Sequence, residues 1–188
     1  MAIKIFIDQG HNPQNPNAGA EGNGLREQDV TFAVGQSLAA LLRANGNFDV
    51  RLSRSTPSEV LGTSTGTSLR ARVDAANAWG ADYFISIHTN ASPITTATGS
   101  EAYVFQVGNA ATPLSERIVA GLSLYTGFPD RGVFSRPTLY VLRKTAMPAT
   151  LVEIGFITNP AEAALMENDP SLYARGIYNG ILAYFGLA

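Results

Sequence analysis

The sequence has no cysteine, and this absence removes several kinds of chemistry from consideration. A disulfide framework, a thiolate nucleophile and a cysteine-ligated metal are all excluded. Any metal site must therefore be built from histidine and carboxylate side chains, which bind Zn²⁺ through nitrogen and oxygen.

Charge is also scarce. Only 15% of the residues are charged, and the formal net charge is -2. A chain of this kind offers no basic field for nucleic acid or anionic lipid. We therefore expect no nucleic-acid partner.

Long apolar runs are missing as well. No run approaches the roughly 20 residues of a membrane-spanning helix, and the apolar stretch before Asp8 is too short for the core of a signal peptide. We expect no membrane span and no signal peptide in this chain. With 188 residues and 45% hydrophobic content, the chain can bury one sizeable core, so we predict one domain over residues 1–188. We also expect a monomer.

Apolar residues that are present come in short continuous runs. Such runs are typical of strands covered on both faces, as in parallel or mixed sheets. The clear runs are Ile3–Ile7, Tyr83–Ile87, Tyr140–Leu142 and Leu151–Ile154, with weaker candidates at Phe48–Leu52 and Ala102–Phe105.

Between these runs, apolar residues recur at helical spacing. The helical patterns follow Glu27, Ser68, Thr112 and Asp169, with a shorter one after Asn159. Strands that alternate with helices predict an α/β three-layer sandwich. Two polar segments remain, Asn12–Gly24 as a site loop and Ser53–Ser68 as a surface excursion.

The two histidines of the chain both follow apolar runs. His11 comes just after Ile3–Ile7, and His88 directly follows Tyr83–Ile87. A single histidine in such a position is more often a core or loop residue. Ligands collect at the carboxyl ends of parallel strands, however, so two strand-end histidines predict a shared site if their strands are parallel neighbours.

Glu27 opens the first helical pattern. Counting back from Val34 and Val30 places Glu27 on the inward face of that helix. It is either a first-turn acid favoured by the helix dipole or a metal ligand beside His11.

Glu153 interrupts an apolar run, where a lone buried carboxylate costs several kcal/mol. It either forms a salt bridge with an arginine such as Arg143 or acts as a general base tuned by burial. Two imidazoles and one carboxylate suit a single Zn²⁺ with an open position for water. A second, unligated glutamate would then carry the proton to the leaving amine.

An ordered set of motifs resembles zinc-dependent N-acetylmuramoyl-L-alanine amidases of the Amidase_3 type, which cut peptidoglycan. The resemblance runs nearly end to end and rests on IDQGH (7–11), AGA (18–20), EQDV (27–30), SIHTNA (86–91), GSE (99–101) and PATLVEIGFITN (148–159).

This resemblance implies that His11, Glu27 and His88 ligate one zinc ion and that Glu153 is the catalytic acid/base. It also implies a six-stranded, mostly parallel or mixed sheet with helices on both faces, peptidoglycan as substrate, and action at the cell wall as a secreted or phage-delivered autolysin or endolysin. The family usually has proline in place of Gln9 and glycine in place of Asn12, which bears on loop shape.

Further assignments at the site are weaker. Asp8 and Asn90 either orient the ligands or form turns, and Arg143 either pairs with Glu153 or binds a stem-peptide carboxylate. Glu101 is expected to be solvated or to cap a strand. Since the segment Thr89–Thr98 is too short for the blocking helix of some relatives, we expect an open site.

Two other functions fit the same residues. One is a peptidoglycan-binding module that keeps the fold without catalysis, and the other is a zinc peptidase that acts on ordinary peptides.

Overall fold

A single mixed sheet organises the chain. The computed structural model describes residues 2–187, and six strands of this region form one sheet in the order β4-β1-β5-β8-β6-β7. The two remaining short strands, β2 and β3, pair with each other in the loop before the first helix. The strands are β1 Ile3–Gln9, β2 Glu21–Gly22, β3 Leu25–Arg26, β4 Phe48–Leu52, β5 Tyr83–Asn90, β6 Ser100–Val104, β7 Asp130–Ser135 and β8 Ala149–Phe156.

Strand direction brings the functional candidates to one edge of the sheet. β1 runs parallel to β5, and β5 runs parallel to β8, so these three strands end at the same edge. β6 is antiparallel to β8 and parallel to β7, so β6 and β7 begin at that edge. The parallel arrangement on which the sequence argument depended is thus confirmed.

Helices cover both faces of the sheet, which confirms the predicted three-layer architecture. The larger core packs α1, α3, α5 and α6 against one face, and the smaller core packs α2 and α4 against the other. The helices are α1 Glu27–Asn45, α2 Thr65–Trp79, α3 Thr112–Thr126, α4 Tyr140–Lys144, α5 Pro160–Asn168 and α6 Pro170–Phe185. Within residues 2–187, no helix is both long and apolar enough to cross a membrane.

The strand predicted at Tyr140–Leu142 is wrong. This segment lies in the short helix α4, which buries Val141 and Leu142 in the smaller core. A short apolar run fits a buried helix turn as well as a buried strand, and periodicity cannot separate the two. The sixth strand of the sheet is instead β7, a polar edge strand that the sequence did not reveal.

Close packing of α3 on α6 explains the two glycines of the last helix. A Cβ atom on Gly176 would lie 2.9 Å from the Cα atom of Leu122, and one on Gly180 would lie 2.3 Å from the carbonyl oxygen of Arg117. These glycines therefore allow the two helices to pack closely.

Candidate metal centre and active site

His11, Glu27 and His88 meet at the carboxyl edge of the sheet. One potential ligand atom from each lies within 4.8 Å of the others. His11 Nε2 is 3.2 Å from Glu27 Oε2, and His88 Nδ1 is 3.0 Å from Glu27 Oε1. The structure thus brings together the three residues that the sequence selected as ligands.

Backbone shape at the end of β1 places the first histidine. His11 adopts a φ of 67°, an uncommon value for a residue with a side chain. Gly10 before it has no room for a Cβ atom, which would lie 2.5 Å from His88 Cε1. A Cβ atom on Gly19 would likewise lie 2.8 Å from Glu27 Oε2, so both glycines allow close approach of the loop to the centre.

Arg72 of α2 stabilises the backbone turn around His11. Its guanidinium donates to the Gln9 carbonyl and to the His11 carbonyl, each at 2.6 Å. It also forms a buried ion pair of 2.6 Å with Asp8. Burial alone would raise the pKa of Asp8, but the charge and hydrogen bonds of Arg72 hold that pKa below its ordinary value.

The second imidazole is oriented by a chain of hydrogen bonds. His88 Nδ1 faces Glu27, while Nε2 lies 3.1 Å from Ser86 Oγ. Ser86 in turn donates to Asp8 Oδ2 at 2.8 Å. Asp8 therefore reaches the histidine through Ser86, and together they fix which ring nitrogen points into the centre.

Two backbone N–H groups hold the side chain of Glu27, the first residue of α1. The Thr89 N–H donates to its Oε1 and the Ala20 N–H to its Oε2, both at 2.9 Å. Burial would raise the pKa of Glu27, but hydrogen bonds to both imidazoles outweigh burial and lower it well below its ordinary range. The group is therefore ready to bind a cation as a carboxylate.

This donor set fits a zinc ion. Two imidazole nitrogens and one carboxylate oxygen are the ligands of many catalytic zinc sites. Among the described residues, His11 Nδ1 is buried without a hydrogen-bond partner, so the ring is fixed by its Nε2 side alone. An ion at the centre would lie between His11 Nε2, His88 Nδ1 and the Glu27 carboxylate, which face one another.

Glu153 lies in the adjacent strand. In the register of the sheet it sits beside His88 of β5 on one side and Glu101 of β6 on the other. Its Oε2 is buried and has no hydrogen-bond partner within residues 2–187. Burial, followed by the charges of Glu27 and Glu101, raises the pKa of Glu153 to about 8, while the charge of Arg136 acts in the opposite direction.

Glu101 is neither solvated nor a cap, contrary to expectation. It is only 6% exposed and pairs with Arg131 at 2.7 Å. Asn90 donates to its Oε1 at 2.9 Å, so Asn90 contacts Glu101 and not a histidine. Tyr103 donates to the same oxygen.

Arg143 does not reach Glu153. It lies exposed in the last turn of α4, and it is not among the cations whose charge acts on Glu153. The positive charge of Arg136, by contrast, lowers the pKa of Glu153.

The segment Ser53–Ser68 is more than a surface excursion. Ser53 Oγ accepts from the Gln9 N–H at 2.9 Å, and the side chain of Asn12 exchanges hydrogen bonds with the backbone of Leu61 at 3.0 and 3.1 Å. Arg54 is fully buried and donates to the Gln28 carbonyl at 2.8 Å. Gln9 and Asn12, the two departures from the usual motif, thus tie the site loop to this segment.

Helix α4 lines a small cavity beside the two histidines. Its volume is about 120 Å³, and Leu139, Tyr140 and Val141 form one wall. Helix α4, in the segment where a strand was predicted, therefore lines part of the cavity beside the histidines.

Two residues that support the centre, and one further buried carboxylate, were not predicted from the sequence. Arg72 lies within a helical pattern and Ser86 within an apolar strand, so neither carried a local signal. Glu162 is also fully buried, and it accepts from the Gly99 N–H at 2.6 Å, joining α5 to the start of β6. Its position after Asn159-Pro160 had suggested only a helix start.

A three-layer α/β fold with a His-Glu-His centre at the carboxyl edge of its sheet defines the class of this protein. The chain belongs to the Amidase_3 family, N-acetylmuramoyl-L-alanine amidases, whose model matches residues 5–183. It is therefore a hydrolase of the amidase type.

Individual relatives agree over the whole chain. N-acetylmuramoyl-L-alanine amidase CwlM of Bacillus licheniformis is 38% identical over 99% of this chain and 70% of its own length. The endolysin of Bacillus phage SPP1 is 33% identical over 100% of this chain and 68% of its own. The crystal structure of an N-acetylmuramoyl-L-alanine amidase from Clostridium difficile 630 superposes with a TM-score of 0.85 at 30% identity, covering 98% of this chain and 97% of the other.

Proposed function

We propose that this chain is a zinc-dependent amidase that hydrolyses the amide between the lactyl group of N-acetylmuramic acid and L-alanine of the peptidoglycan stem peptide. The observation that carries the proposal is the convergence of His11, Glu27 and His88 beside Glu153, whose Oε2 is buried and has no partner within residues 2–187. Membership of the amidase family supports the choice of bond.

His11 Nε2, His88 Nδ1 and a carboxylate oxygen of Glu27 would hold the metal. A bound Zn²⁺ would polarise the amide carbonyl and lower the pKa of a water molecule toward about 7. Asp8, Ser86 and Arg72 keep the ligands in position, because they fix the His88 ring and the backbone around His11.

Glu153 carries the proton in this proposal. Its Oε2 would accept a proton from the attacking water and then donate it to the nitrogen of the leaving amine. The absence of a partner for Oε2 in the described chain keeps this oxygen available. A positive charge at the adjacent centre would lower the pKa of Glu153 and favour the carboxylate needed for the first step.

The names of the relatives support the substrate and the place of action. They include N-acetylmuramoyl-L-alanine amidases of Bacillus and a phage endolysin. We accordingly place the activity of this chain at the bacterial cell wall.

Mass spectrometry of digested peptidoglycan tests this proposal. Purified wall is incubated with the zinc-loaded protein, and the released fragments are analysed for the new amine. Stem peptides that begin with the free α-amine of L-alanine are the expected product. New termini within the stem would instead indicate a peptidase, and binding to the wall without release would indicate a non-catalytic module.

A further inference from the structure

The sheet face that carries Glu153 continues past the site onto β6 and β7. Tyr103 and Phe134 lie opposite each other in the register of these strands, and their rings are 6.4 Å apart. Phe134 is 45% exposed. Helix α3 packs on the other face of β6 and β7. On the face that carries Glu153, Tyr103 is partly buried against the smaller core, and Phe134 keeps the aromatic surface exposed on its β7 side.

Arg136 lies over this aromatic surface. Its guanidinium stacks 4.9 Å from the centre of the Tyr103 ring, and its backbone N–H donates to the Val104 carbonyl at 2.8 Å. Arg136 is exposed and forms no ion pair with any described residue. The stacking holds the guanidinium in place and leaves it without a carboxylate partner among the described residues.

The neighbouring charges leave Arg136 as the available cation at this end of the site. Arg131 is already paired with Glu101 at 2.7 Å. The positive charge of Arg131 partly offsets the negative charge of Glu101 and so weakens its repulsion of an anionic ligand.

The polarity of the proposed reaction decides which part of the substrate lies here. The group that protonates the leaving amine must lie next to that amine, so the peptide departs on the Glu153 side of the centre. From Glu153 the sheet leads to Tyr103, Phe134 and Arg136. The sugar and its lactyl group then lie on the opposite side, toward His11.

We infer that the surface formed by Tyr103, Phe134 and Arg136 binds the stem peptide, with Arg136 pairing to a peptide carboxylate. The inference rests on the proposed function, because the reaction polarity assigns the peptide to this side. A guanidinium presents its donors in a fork that matches a carboxylate, and the aromatic rings offer apolar contact to the peptide backbone and side chains.

Two matched substrates test the inference. One is N-acetylmuramoyl-L-alanyl-D-isoglutamine with its free carboxylate, and the other is the same compound with that carboxylate converted to an amide. The zinc-loaded protein should cleave the acid with a kcat/KM about tenfold higher than the amide, since one charge-assisted pair is lost. The difference should lie mainly in KM, because the pair forms away from the reacting bond.

Variants assign this preference to one residue. Arg136→Gln should cleave both compounds with equal efficiency, and Arg136→Lys should restore part of the preference through its charge. Arg117→Gln, an exposed arginine on α3, should keep the preference of the unmodified protein.

The possible failures are distinct. An unmodified protein with no preference, or an Arg136→Gln variant that keeps it, would overturn the role of Arg136 while amide cleavage stands. If the unmodified protein releases L-alanyl peptides from neither compound nor from peptidoglycan, the proposed function itself falls, and this inference with it.

Discussion

On the side of β1, α1 and α2, the candidate site is tightly braced, whereas on the side of β8, β6 and β7 it is left open. Glu27 accepts hydrogen bonds from two backbone N–H groups, and His88 is hydrogen-bonded to Ser86. Across the centre, Glu153 Oε2 is buried without a partner in residues 2–187. The aromatic surface beyond it is exposed.

This difference follows from two tasks. Metal ligands must be held in one geometry, and hydrogen bonds to their other atoms do this. A group that takes up and releases a proton must change partners, so a fixed hydrogen bond would oppose its role. Burial of the unpaired Glu153 Oε2 lowers the stability of the fold, and this loss accompanies its proposed role in proton transfer.

Substitution of Glu153 should have the largest effect. Glu153→Gln should lower the rate of amide hydrolysis by roughly 10²- to 10⁴-fold, the usual contribution of a general acid/base. Zinc content should stay the same, because the side chain is not among the proposed ligands. Rates are measured from the amine released by purified peptidoglycan, with Glu116→Gln on the exposed side of α3 as the control. A variant with normal rates would show that the open side does not carry the proton.

Removal of the Arg72 guanidinium should destabilise the ligand side of the site. Arg72→Met should lower the free energy of unfolding by about 3–5 kcal/mol, because Asp8 would be left buried and unpaired. Urea unfolding of the metal-free protein measures this change. Arg70→Met, an exposed arginine on the same helix, should change stability by no more than about 0.5 kcal/mol. Equal losses in the two variants would contradict the proposed brace.

Stability should depend on pH through Glu153. Its pKa is about 8 in the fold against an ordinary 4.5, so between these values the folded metal-free protein binds more protons than the unfolded chain. Its stability from this group is therefore lost as the pH rises from 4.5 to 8. Glu153→Gln removes that loss and should stabilise the metal-free protein at pH 8 by on the order of 3 kcal/mol, with little difference at pH 4.5.

Thermal unfolding of both proteins across this range provides the measurement. A constant difference between them would show that Glu153 is not buried as a proton-binding group.

A smaller effect should follow from removing the hydrogen bond behind His88. Ser86→Ala should weaken zinc binding by about 10- to 100-fold, as expected for a partner of a metal ligand. Competition with a chelator of known affinity measures the change. Ser58→Ala, on the exposed part of the neighbouring loop, serves as the control, and equal affinity in both variants would remove Ser86 from the bracing network.

Arg143→Gln should have the smallest effect. The residue is exposed and forms no ion pair with Glu153, so kcat/KM should change by less than about twofold, within the range of neutral surface substitutions. Kinetics on purified peptidoglycan would test this. A large loss would instead favour the other role predicted from the sequence, in which Arg143 binds a stem-peptide carboxylate.

The sequence predicted the centre better than its support. His11, His88 and Glu153 follow or interrupt continuous apolar runs, and this pattern marks the ends of buried parallel strands. Glu27 was recognisable because the apolar stripe of its helix fixed the direction of its side chain.

Supporting residues depended on tertiary contacts that no local pattern encodes. Arg72 and Ser86 gain their roles only when α2 and β5 pack beside Asp8. The strand β7 is polar because it lies at the edge of the sheet, and the apolar run of α4 is too short to show a period. The predicted pairing of Arg143 with Glu153 failed for the same reason, because it assumed that the segment before Arg143 is a strand beside β8.

We propose that His11, Glu27 and His88 hold one zinc ion while Glu153 remains outside the ligand set. Calorimetric titration of the metal-free protein with Zn²⁺, with the Glu153→Gln and His88→Ala variants in parallel, separates these roles. We expect one zinc ion per chain for the unmodified protein and for Glu153→Gln, and no binding by His88→Ala. Full binding by His88→Ala, or loss of binding in Glu153→Gln, would contradict this proposal.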